Sequence, residues 1–101
     1  MTAADWLRGR MVDAPPAVLD TMLGAVPVDV DLPLPDALAA GALALYAGLP
    51  RTGGRADALP LLAADALFTH ALEAQAEADP DGVPALAERI GATGALASLV
   101  G

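Results

Sequence analysis

The chain has 101 residues, enough to bury one modest core but not two. Its formal net charge of −8, with five basic residues that are all Arg, sets up a negative field that repels nucleic-acid phosphates and anionic membrane surfaces. Cysteine is absent, which excludes disulfides and thiol chemistry and fits a reducing, cytoplasmic setting.

Apolar residues make up 55% of the chain, yet much of that is Ala, and the aromatics are Trp6, Tyr46 and Phe68 alone. Ala and Leu with few β-branched residues favour helix over sheet. The expected fold is therefore all-α: a single helical domain over 1–101, built as a small irregular bundle of four or five helices with a Pro-rich extended connector. The longest uncharged apolar run, Ala37 to Leu49, is 13 residues, well short of the roughly 20 that a membrane span needs. Met1 to Met11 carries Asp5, Arg8 and Arg10, so no secretory signal is expected there.

Thr2 with Asp5 three residues later forms a capping signal for a short first helix carrying Trp6, Leu7 and Met11. Trp6 is expected to dock that helix onto the body, the alternative being a hot spot for a partner. Pro15 and Pro16 break the chain and open a second helix from about Pro16 to Leu23, with Val18, Leu19, Met22 and Leu23 as its apolar stripe and Gly24 as its stop. From Val26 to Pro35 the sequence alternates strictly between apolar residues and Pro or Asp. That period of two predicts an extended strap across the helices, or an edge that adds to a partner's sheet or to a second copy. On the second reading the interface residues are Trp6, Val26, Val28, Val30, Leu32 and Leu34.

A third helix is expected from Asp36 to Leu49, started by Pro35 and Asp36 and ended near Gly48 and Pro50. Ala40, Ala44 and Gly48 recur every four residues and Gly41 adds another small side chain, which lets a neighbouring helix come close. That neighbour is expected to be the long helix from Asp57 to Ala78. In it Ala64, Leu67, Phe68, Ala71, Leu72 and Ala74 share one broad arc, and Asp65, Thr69, Glu73 and Glu77 form a polar stripe. Asp57 is placed to cap it, Pro60 to sit in its first turn, and Asp79-Pro80-Asp81-Gly82 to stop it. Gly82-Val83-Pro84 then restarts a helix through Leu86, Ala87 and Ile90, interrupted at Gly91 and Gly94 before a final turn with Leu96, Leu99 and Val100.

Few residues carry chemistry. Arg51, Gly53, Gly54 and Arg55 form a basic, flexible loop before a helix N-terminus, the kind of place where a small anion is held, although neither a phosphate-loop pattern nor a Lys is present. His70 has Glu73 and Glu77 one and two turns ahead, but the pattern supplies neither the full ligand set of a metal site nor the paired motif of di-iron bundles. Asp29, Asp31 and Asp36 lack the spacing of a calcium loop. Ser98 and the threonines sit in no nucleophile elbow. No catalytic, metal or cofactor-binding residues are assigned, and nothing in the pattern suggests an enzyme.

Two segments resemble known families. Leu86 to Leu96 looks like the first half of a bacterial helix-turn-helix, with Ala87 and Gly91 at the expected spacing. The segment that would be the recognition helix has no Arg, Lys, Gln or Asn to read bases, so nucleic acid is not an expected partner. Leu61 to Leu67 is similar to one helix of trans-prenyltransferases, whose aspartate-rich DDxxD motif this chain lacks.

The apolar residues around the start of the long helix, Leu59, Leu61 and Leu62, leave surface for another chain. The function expected is a non-catalytic protein–protein interaction or assembly module that self-associates into a homo-oligomer. The alternative is a small helical carrier or enzyme-associated subunit that encloses an apolar ligand between the Asp36 and Asp57 helices.

Overall fold

The computed structural model describes residues 2–27, 31–49 and 54–92. Five α-helices follow in order: α1 Ala3–Arg10, α2 Pro16–Ala25, α3 Leu34–Ala47, α4 Arg55–Ala78 and α5 Val83–Ala92, with a single 3₁₀ turn, Pro80–Gly82, between the last two. There is no strand among the described residues, and no helix there is long and apolar enough to cross a membrane. The all-helical bundle is the one that composition and periodicity imply.

Local signals explain most of the boundaries. Thr2 adopts an extended conformation and its Oγ1 accepts the Asp5 amide at 3.1 Å, so α1 opens on a capped end. Hydrogen bonding from Thr2 also lowers the Asp5 carboxyl pKa from its ordinary value. Pro16 occupies the first position of α2, where its missing N–H costs nothing. At the end of α4 the Asp79 backbone turns to an extended conformation, and its Oδ1 accepts the Asp81 amide at 3.2 Å. That local turn seeds the 3₁₀ segment and reverses the chain into α5.

The structure departs from the sequence expectation in several places, one being that α5 runs through Gly91 to Ala92 without interruption. Helix α2 runs past Gly24 to Ala25, because Val26 supplies the stop by turning extended and entering the core at 4% exposure. Helix α3 starts two residues early, at Leu34. Pro33 holds the extended N-cap conformation and Pro35 falls within the first turn, where it needs no donor. Helix α4 starts at Arg55 with Gly54 as N-cap, which puts Asp57 inside the first turn instead of at the cap and Pro60 one turn deeper than expected. The carbonyl of Ala56 therefore faces a residue with no N–H to offer. Finally, the small-residue row Ala40, Ala44, Gly48 is not the surface on which α3 meets α4, since Ala44 and Gly48 are exposed.

The close approach of α3 and α4 is made by Gly41 instead. A Cβ at that position would lie 3.0 Å from Val26 Cγ1 and 3.1 Å from Leu67 Cδ1, so any side chain there would make its neighbours give way. Around this point Leu38, Ala42 and Tyr46 of α3 bury against Ala63, Ala64, Leu67, Ala71 and Ala74 of α4. The expected core arc of α4 is thus in place, with Phe68 and Leu72 at its margin. Trp6 and Leu7 of α1, Val18 and Met22 of α2, and Leu86 and Ile90 of α5 complete one continuous core. Each fully buried Leu in it stabilises the fold by about 2 kcal/mol relative to exposure.

Candidate functional site

Two regions of the bundle expose apolar surface in an organised way. The first is an open groove of about 420 Å³ between α3 and α5, lined by Ala39, Ala40 and Leu43 on one side and Leu86 and Ile90 on the other. Its polar group is a single ion pair: Arg89 Nη1 of α5 lies 2.9 Å from Asp36 Oδ1, in the first turn of α3. The Asp36 side chain is mostly covered, at 26% exposure, and that of Arg89 mostly exposed, at 61%. The carboxylate is therefore the fixed member and the guanidinium the exchangeable one.

The second region is the N-terminal end of α4. Opposite the buried Ala63, Ala64 and Leu67, the outer face carries Ala58, Leu59, Leu61 and Leu62, all exposed, with Leu62 at 55%. One turn later the same face becomes polar at Asp65 and Thr69. The apolar stretch is bounded, and Leu59, Leu61 and Leu62 are its exposed large side chains.

No family model, curated protein or solved structure matches this chain.

Trp6 is 9% exposed and belongs to the core cluster, so its side chain docks α1. Its ring meets the His70 ring edge to face, with centroids 5.8 Å apart, while Arg10 Cζ stacks 4.5 Å above it. Arg10 then reaches from α1 to α4, where its Nη2 donates to both carboxylate oxygens of Glu77 and its Nη1 lies 3.7 Å from Glu73. The Glu77 hydrogen bond raises the Arg10 pKa above its usual value. His70 Nδ1 contacts Glu73 Oε2 at 3.1 Å, as their spacing implied. The cluster is a clasp between two helices, and no group of three or more metal-ligating side chains occurs among the described residues.

The other sequence candidates are dispersed. In the strap, Val26 is buried in the chain's own core, Leu34 is partly buried in α3, and Leu32 is 44% exposed, while Val28 and Val30 lie outside the described residues. In the basic loop, Arg51 and Gly53 lie outside the described residues; Gly54 precedes α4 and Arg55 begins it. Asp29 and Ser98 are also outside them, Asp31 is exposed, and Asp36 is paired with Arg89.

Two ion pairs have no signal in the sequence. Arg10 and Glu77 are 67 positions apart, and only the reach of the Arg10 side chain from α1 to α4 in the folded bundle joins them. The Arg89–Asp36 pair depends in the same way on where α5 returns.

Proposed function

We propose that this protein is a non-catalytic assembly module that associates with a second copy of itself through the N-terminal end of α4. The observation that carries this reading is the exposure of Leu59, Leu61 and Leu62 on the face of α4 turned away from its core. A two-fold contact needs only one such patch, because each copy presents the same surface to the other. Three partly exposed leucines cover far less than the roughly 1,200 Å² of a stable interface, so the contact is weak and concentration-dependent. The −8 charge on each copy opposes it, which makes salt an ally of association. Sedimentation or light scattering against protein and salt concentration tests the proposal. Mass should rise with both, and Leu62→Asp should hold the chain as a monomer. A wild-type chain that stays monomeric at the highest concentration and salt refutes it.

A second reading, a small carrier for an apolar ligand, is favoured by the groove. On this reading the ligand would sit between α3 and α5 and not, as expected, between the Asp36 and Asp57 helices, whose contact is tight at Gly41. The groove's volume and apolar lining fall in the range of small-ligand sites.

A further inference from the structure

Resting on the second reading, the geometry points to a ligand class: the groove between α3 and α5 binds a small amphiphilic amine, with its apolar body against Ala39, Ala40, Leu43 and Leu86 and its cationic head on Asp36. The first support is shape. About 420 Å³ of apolar-walled space accommodates a ligand body of drug-fragment size but is too small for a folded partner element.

The second support is the polar group at the groove. Asp36 is set in the first turn of α3 and largely covered, and it already accepts a cationic N–H donor in the form of Arg89. The guanidinium shows what the carboxylate takes, and an ammonium head satisfies the same acceptor. Arg89 is displaced easily, because its side chain is mostly in water and such pairs hold weakly. Once released, the guanidinium keeps its hydration and leaves no buried charge behind.

The third support is the field. A chain of net charge −8 concentrates cations at its surface and depletes anions, so a carboxylate-headed amphiphile approaches against the potential while an amine is drawn in. An anionic head could still reach the free donors of Arg89, so the octanoate arm of the test is the one that decides between the two signs of charge.

Three probes with one tail and different heads separate the possibilities: n-octylammonium, n-octanol and n-octanoate, titrated into the full chain with amide chemical shifts and calorimetry as readouts. The expected result is that shifts centre on Leu43, Leu86 and Ile90 and that octylammonium binds about 5-fold more tightly than octanol, with octanoate weakest. Asp36→Asn should bring octylammonium to the level of octanol without changing octanol binding. Ala40→Leu, which fills the groove, should weaken all three while the helical circular dichroism is retained. Octanol or octanoate binding as tightly as octylammonium overturns the amine preference but leaves the groove a ligand site. If none of the probes shifts those amides, or Ala40→Leu changes nothing, both the inference and the carrier reading fall.

Discussion

Tyr46 of α3 donates its hydroxyl hydrogen to Asp65 Oδ1 of α4 at 2.6 Å, and this bond ties the edge of the interface whose close approach Gly41 permits. Tyr46 is 2% exposed while Asp65 is exposed, so one end of the bond is dry and the other can be hydrated. Burial, reinforced by the Asp65 hydrogen bond and charge, pushes the phenol pKa well above its usual value.

Tyr46→Phe is expected to cost about 1 kcal/mol, since Asp65 can turn to water and no buried polar group is left unpaired. Urea unfolding checks it. A loss several times larger would mean that the ring had shifted as well.

The raised phenol pKa also fixes a pH dependence. The folded state holds the phenol proton more tightly than the unfolded chain, so the stabilisation is complete below about pH 10 and is lost as pH rises toward the folded value. Wild-type urea midpoints should fall above about pH 10, and Tyr46→Phe should remove that component. Parallel pH profiles for the two proteins would contradict the assignment.

The α1 clasp makes a different prediction. Trp6→Ala should cost about 3 kcal/mol by emptying a core position, with little dependence on salt. Arg10→Gln should lower the melting temperature less, and by an amount that shrinks between ~50 mM and ~1 M NaCl as the Glu77 and Glu73 contacts are screened. A salt-independent Arg10→Gln effect would locate its contribution in the stacking on Trp6 instead.

At Gly41 two effects compete. Ala there gains up to about 1 kcal/mol of helix propensity but loses about 1–3 kcal/mol to crowding. Because the new methyl would press on Val26 at 3.0 Å and Leu67 at 3.1 Å, Gly41→Ala should destabilise on balance. Val26→Ala in the same chain should recover part of the loss, which a double-mutant cycle measures directly. Two strictly additive substitutions would show that the crowding lies elsewhere.

Pro60 offers the opposite outcome. Since α4 begins at Arg55, Pro60 sits inside the helix, and Pro60→Ala should restore a hydrogen bond to the Ala56 carbonyl and add about 2 kcal/mol. Thermal unfolding reads the gain.

Helix content and order were legible because each helix has its own apolar period and local punctuation. Thr2, Pro16 and Asp79 act through neighbours a few residues away, so the chain alone shows what they do. The start of α4 was misplaced because Asp57 is a good cap in general, yet Gly54 reaches the extended conformation first. Val26 looked like one face of a strap, but it is the residue that fills the gap above Gly41, and a period of two carries no information about that. The clasp, the Tyr46–Asp65 bond and the Asp36–Arg89 pair were hidden for one reason. Each joins residues on separate helices whose crossing is set by packing, and local spacing says nothing about crossing.

Among the described residues, four of the five buried positions on α4 are Ala63, Ala64, Ala71 and Ala74. Truncating an alanine removes a single methyl, so this helix has almost nothing to lose by becoming smaller and a great deal to lose by becoming larger. Mutational damage along α4 should therefore be lopsided, with bulky replacements expelling α3 and glycine costing little beyond backbone entropy. A random library would show a ceiling on side-chain volume at the four alanines, with a matching floor only at Leu67.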